Sequence, residues 1–280
     1  MPILITSLSV SRMESKPKGW ASHYADWFGE ESVASRYALR PPYPEETFRL
    51  LASFVIDEPR AVLDAGCGPG DLARPLAPLV GRVDAVDRSA AMLAEGRTMP
   101  GAGAPNLRWI HGNIEDAPLA PPYALAVAGD SVHWFDWHST MPRFSQALST
   151  RGVLAIVSRE WAADPELRRR LTRVYSRHGA NPDFVPLDPV EELERRGLFE
   201  RLGAHATRTE PWNPTIDELL GCHHSQNGFV IEKMRDPAAF DREVTEVVDE
   251  LVTRDRDRFQ LEVGATIIWG RPRDRGQFVG

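Results

Sequence analysis

The sequence predicts one α/β domain built on a doubly wound, mostly parallel, seven-stranded sheet with helical covering insertions. Three observations predict it. Short apolar runs alternate with helical segments from about residue 60 onward. A glycine cluster follows the first of these runs, and acidic or polar residues recur where the later runs end.

The elements follow in order. Ala61 to Asp64 is a continuous apolar run stopping at glycines, the pattern of a strand buried on both faces. Leu72 to Val80 keeps helical spacing despite Pro75 and Pro78. Val83 to Val86 is a second strand, and Ser89 caps a helix through Glu95. Leu107 to His111 is a third strand and Tyr123 to Ala128 a fourth. A helix near Thr140 to Leu148 and a fifth strand over Val153 to Ser158 follow. Past residue 160 the alternation loosens. Helices are expected over 165–178 and 189–196, the second stopped by Gly197. Residues 204–209 alternate like a strand, 214–230 read as a helix and loop over a pocket, 237–257 as a long helix, and 261–269 as a last strand. The charge run Thr253 to Arg258 reads as a solvated helix end. A leader is expected over 1–18 and a single domain over 19–280. Its core covers about 45–160 and 200–272, with covering segments near 19–44, 161–200 and 213–235.

Composition narrows the function. The 280 residues carry a net charge of -7, which argues against a general nucleic-acid binder, whose footprint is basic. Cys67 and Cys222 make neither a disulfide framework nor a CxxC site, which fits a reducing cytoplasm. The apolar start, Met1 to Val10, is short, lacks a basic beginning and contains Pro2, so neither a signal peptide nor a membrane span is expected. The expectation is a cytoplasmic enzyme acting on a small molecule, monomeric or homodimeric, with no nucleic-acid or membrane partner and no metal. Natural-product biosynthesis is the expected setting.

The sharpest motif is Val62-Leu63-Asp64-Ala65-Gly66-Cys67-Gly68-Pro69-Gly70, set between a strand and a helix. Its glycines let backbone approach a ligand closely. The third glycine comes one residue early for a dinucleotide loop, and Pro69 removes an N–H that would face a pyrophosphate. A ligand without a diphosphate therefore suits the loop better. Asp87 ends the second strand, where a carboxylate accepts both hydroxyls of a ribose. Asn113, Ile114 and Glu115 follow the third strand, with polar groups for an adenine edge and an apolar side chain for its face.

At these positions the chain resembles the class I S-adenosylmethionine-dependent methyltransferases. The glycine motif, the acidic residue after the second strand, and the Asn113-Ile114-Glu115 segment carry the likeness, with Asn where Asp is commoner. Arg36-Tyr37-Ala38-Leu39-Arg40-Pro41-Pro42-Tyr43-Pro44, Ser131 to Asp136 and the ending Gly270-Arg271-Pro272 resemble the type-11, trans-aconitate-methyltransferase-like branch. The resemblance implies S-adenosyl-L-methionine as cofactor and S-adenosyl-L-homocysteine as product. It places Asp64, Ala65, Gly66, Cys67 and Gly68 at the methionine end and Asp87 beside the ribose, with Arg88 and Met92 as further cofactor contacts. Asn113, Ile114 and Glu115 then lie at the base, and Asp130 and Ser131 at the fourth strand's end. Arg40 is expected to close over the cofactor's carboxylate. Tyr24, Trp27, Tyr43, His133, Trp134, Trp161 and His224 are the candidate acceptor contacts. His133 is the candidate base or pocket residue, and packing against Trp134 and Phe135 is its alternative role. Cys67 reads as a packing residue. A repurposed cofactor-dependent reaction such as cyclisation, a nicotinamide-dependent oxidoreductase and a non-enzymatic adaptor are the competing readings.

Overall fold

A computed structural model describes residues 16, 20, 24, 26–162 and 164–274. Of the leader expected over 1–18, only Lys16 falls among them. Two short helices, α1 (Glu31–Arg36) and α2 (Glu45–Ser53), precede β1 (Ala61–Ala65). Then come α3 (Ala73–Leu76), β2 (Arg82–Asp87), α4 (Ala90–Thr98), β3 (Leu107–His111) and β4 (Tyr123–Gly129). Helix α5 (Trp137–Ala147) leads into β5 (Leu148–Glu160).

Strands β1, β2, β3, β4 and β5 pair in parallel, β1 lying between β2 and β4. β1 is buried at every position and β4 at all but its last, the signature of a sheet covered on both faces. One core layer joins Val62, Leu76, Leu93 and Leu125 on one face; the other joins Leu63, Val86, Phe144 and Ile156. Because β1 pairs with β2 on one side and β4 on the other, the loops after all three strands emerge side by side. The reversal of strand order at β1 and β4 makes that edge the natural ligand site of a doubly wound sheet.

The second half adds α6 (Pro165–His178), α7 (Pro189–Arg195), β6 (Phe199–Ala206), β7 (Glu210–Trp212), α8 (Ile216–His224) and α9 (Pro237–Leu251). After these come the ribbon of β8 (Arg254–Asp255) and β9 (Arg258–Phe259), and β10 (Leu261–Pro272). β10 lies antiparallel between β5 and β6, completing the seven-strand order β3-β2-β1-β4-β5-β10-β6. The start of β10 also pairs with β7, an eighth strand the sequence pattern does not predict. Its Glu-Pro-Trp is too short for any period to register.

The helical cover has a core of its own. Leu167 and Leu171 of α6, Leu219 of α8, and Phe240 and Val244 of α9 pack with Phe229 and Phe259. Thr215 caps α8 reciprocally with Glu218, satisfying two otherwise orphaned N–H groups. The long helix expected to reach residue 257 stops at Leu251. The charge run is instead a tight two-stranded ribbon turning at Arg256, whose φ is 59°. Phe259 is fully buried there, and anchoring that ring outweighs continuing a solvated helix.

Candidate active site

The loop after β1 is shaped by contacts that only glycine permits. Gly66, Gly68 and Gly70 have φ of 66°, 55° and 83°. A Cβ on Gly66 would lie 2.7 Å from Ser131 Cβ, and one on Gly70 2.5 Å from the Trp109 ring. The Ser131 hydroxyl donates to the Ala65 carbonyl at 2.8 Å, tying the β4 loop to the β1 loop. The Asp87 carboxylate at the end of β2 accepts the Gly68 N–H and the Ser89 N–H, both at 2.7 Å. Burial raises its pKa while these two N–H bonds oppose the rise. Ser89 in turn caps α4 through the Met92 N–H.

These loops enclose a cavity of about 390 Å³. Gly66, Gly68, Asp87, Arg88 and Met92 line it from β1, β2 and α4. Gly112 to Asp116 line it from the β3 loop and Gly129 to Ser131 from the β4 loop. Phe28, Tyr37 and Trp134 to Asp136 close it. Glu115 accepts the Asp136 N–H at 2.9 Å, so the β3 loop fixes the turn that carries Trp134. Arg88 pairs with Asp26.

Asp64, Ala65 and Cys67 sit beneath this surface rather than on it. Asp64 is 1% exposed, burial pushes its carboxyl pKa up to about 8, and its Oδ2 has no hydrogen-bond partner among the described residues. Burial raises the Cys67 thiol well above its ordinary range, which leaves it a packing group.

Seven other candidates are placed away from the cavity lining. Arg40 donates from Nε to the Ser225 hydroxyl at 2.8 Å and from Nη2 to the Ser225 carbonyl at 2.6 Å, so it pins the end of α8 instead of reaching a ligand. His133 stands edge-on to Trp20 at 4.9 Å and beside Trp134 at 4.8 Å, and burial lowers its pKa to about 3. Those contacts are packing, and burial disfavours protonation of the ring. Tyr43 is buried and its hydroxyl donates to Asp130 Oδ2 at 3.0 Å. Tyr24 donates to Asp183 at 3.1 Å, with Trp27 edge-on to its ring. Trp161 packs against Trp212 and His223 in the helical cover. His224 bridges the Phe229 carbonyl at 2.7 Å and Asp241 at 2.8 Å. The packing of His133 on its neighbour Trp134 is the alternative the sequence offers, whereas Ser225, Asp130, Asp183, Trp212 and Asp241 are too far along the chain from their partners for local pattern to show.

Sequence reasoning misses Phe28 on the lining and quotes Tyr37 without assigning it a role; Asp116 belongs to the polar segment it reads after the third strand, and Phe135 and Asp136 fall in the 130–136 stretch it expects over the acceptor. Sequence reasoning also gives no role to Arg159, at the end of β5, although the residue lies in the 158–162 stretch expected over the acceptor. That guanidinium donates to the Pro41 carbonyl at 2.6 Å and to Asp71 at 3.2 Å, lies 3.7 Å from Asp130, and covers the Tyr43 ring at 4.3 Å. It ties the segment before α2, the glycine loop and the β4 loop together. Asp130 takes a left-handed φ of 50°, a strained turn that these contacts hold. Placement at a strand's carboxyl end was the available signal. Among the described residues no group of three or more His, Cys, Asp or Glu side chains could hold a metal, and no helix is long and apolar enough to cross a membrane.

Fold and cavity resemble those of class I methyltransferases, enzymes that depend on S-adenosyl-L-methionine. Residues 62–152 match the methyltransferase domain family. The chain is 27% identical over 191 residues to a trans-aconitate 2-methyltransferase of Azoarcus sp., covering 66% of this chain and 71% of that one. It is 28% identical over 194 residues to a malonyl-[acyl-carrier protein] O-methyltransferase of Halalkalibacterium halodurans, covering 63% and 71%. In fold it resembles a candidate type II methyltransferase from Anaeromyxobacter dehalogenans, at a TM-score of 0.61 and 24% identity over 84% of this chain and 99% of that one. It also resembles a SAM-dependent methyltransferase from Thiobacillus denitrificans solved with S-adenosyl-L-homocysteine, at 0.50 and 14%, over 86% and 97%.

Proposed function

We propose that the cavity at the ends of β1–β4 holds S-adenosyl-L-methionine and that the enzyme passes its methyl group to a small-molecule acceptor by in-line displacement. The observation carrying this reading is that one cavity gathers Gly66, Gly68, Asp87, Asn113 and Glu115 from three different strand ends. The residues fit the group. The lining holds five carboxylates against Arg88, a field suited to a cation. The buried, unpartnered Oδ2 of Asp64 beneath the glycine loop is a further polar atom in want of a partner.

In this reading Asp87 holds the ribose hydroxyls, since a carboxylate has about four acceptor sites and two are used by Gly68 and Ser89. Asn113 and Glu115 hold the adenine edge while Ile114 and Met92 pack its faces. Gly66, Asp130 and Ser131 receive the amino-acid end. The cofactor supplies a methyl group already activated by the sulfonium charge. The chain's own tasks are alignment and exclusion of water by Phe28, Tyr37, Trp134 and Phe135; alignment alone is worth about 7–11 kcal/mol at best. No general base is assigned, and His133 is not offered as one. The relatives are named for two different acceptors, so likeness does not carry an acceptor over.

The test is calorimetric titration of cofactor into the Asp87→Ala variant. At least a ten-fold loss of affinity is expected, and undiminished affinity refutes the ribose role.

A further inference from the structure

The lining of the cavity has a charge balance that bears on the acceptor. Asp87, Glu115, Asp116, Asp130 and Asp136 share the lining with Arg88, and Arg88 is paired with Asp26. The other described cations nearby are committed to the protein itself. Arg40 serves Ser225 and Tyr37, Arg159 serves Asp71, Asp130 and Pro41, and Lys16 donates to the His133 and Phe135 carbonyls. The imidazole of His133 adds no positive charge, because burial keeps it neutral.

The remaining wall is aromatic. Phe28 meets Trp134 edge-to-face with ring centres 5.9 Å apart. Trp134 continues to Trp20 at 6.1 Å and Trp20 to Phe184 at 5.4 Å. Phe184 and Val185 stand 54% and 56% exposed, so a chain of packed aromatic rings links the surface to the cavity wall. Along it the buried Trp134 indole N–H has no acceptor among the described residues. A buried donor left in this state costs free energy until an acceptor reaches it.

We infer that the acceptor molecule is flat, uncharged and largely apolar, lies against the Phe28–Trp134 wall, and takes one hydrogen bond from the Trp134 N–H. This rests on the methyl-transfer reading above. A tricarboxylate has no described cation free to receive it, and Asp116 and Asp136, the lining carboxylates given no part in holding the cofactor, oppose it, which separates this site from what the trans-aconitate relatives are named for.

The experiment compares two probes with one carbon skeleton, trans-aconitate and its trimethyl ester, by equilibrium dialysis against the full chain loaded with S-adenosyl-L-homocysteine. Low salt is used, where charge effects are least screened. The ester is expected to bind at least ten-fold tighter. The Asp116→Lys variant, changed at an exposed lining position, is expected to narrow that gap several-fold. Equal or tighter binding of the tricarboxylate, no retention of the ester, or a gap unmoved in the variant overturns the proposal while leaving the methyl-transfer reading in place. Failure of S-adenosyl-L-homocysteine itself to bind removes both.

Discussion

Replacing Arg159 by methionine removes a guanidinium that is 6% exposed while keeping similar length. Three groups lose a partner: the Pro41 carbonyl, at 2.6 Å, and the Asp71 and Asp130 carboxylates, at 3.2 and 3.7 Å. Breaking a fully buried ion pair costs about 3–5 kcal/mol. Here the two carboxylates are 24% and 29% exposed, so water recovers part of their solvation. The Asp130 carboxylate also keeps the Tyr43 hydroxyl. The lost carbonyl bond adds about 1 kcal/mol. The expected destabilisation is therefore about 2–4 kcal/mol, read as a lowered urea midpoint at unchanged slope. Arg159→Lys keeps the charge but not the fork, and should recover about half of that loss. A methionine variant within about 0.5 kcal/mol of the parent would refute the reasoning, since it would mean that the three segments hold one another without the guanidinium.

Three further outcomes follow from the geometry. The Asp64 carboxyl is neutral when buried, with a pKa near 8 against an ordinary value of 3.8. A raised folded pKa gives stability that is present below the unfolded value and lost as pH rises through the folded one, here between about pH 4 and 8. Asp64→Asn has no such loss, so its stability relative to the parent should climb by about 1.4 kcal/mol per pH unit across that window; parallel denaturation curves at pH 5 and 7 would contradict this. Gly66→Ala combines a φ of 66° with a contact of 2.7 Å to Ser131 Cβ, and should cost about 1–3 kcal/mol in thermal unfolding, more than the same change at exposed Gly103, where nothing crowds the position. The His133 ring should stay neutral from pH 5 to 8 when histidine resonances are followed by NMR, and a midpoint near 6.5 would return it to the list of candidate bases.

The sheet was legible because its signals are local. β1 and β4 are unbroken apolar runs, and the glycines after β1 stand at positions whose backbone no other residue adopts cheaply. The cavity floor was legible for the same reason: Asp87, Asn113 and Ser131 follow strands that the pattern places. The roof was not. Arg40 has the right chemistry to grip a carboxylate, yet Ser225, far along the chain, takes it. His224 reads as a pocket residue because its segment is assigned to the cover, and Trp161 because it follows the fifth strand; the partners they take are residues of the helical cover. Phe28 gives no periodic signal inside a single helical turn. Arg159 hid among many arginines, whose frequency makes any one of them uninformative.

The position of β10 bears on how the chain is made. This strand, residues 261–272, slots between β5 and β6 and hydrogen-bonds both. Until a ribosome has delivered it, β5 presents an open edge and β6 has no neighbour to zip onto, although the parallel half has already left the exit tunnel. The nascent protein must therefore hold a half-finished sheet in solution, the interval in which edge-to-edge misassociation is most dangerous.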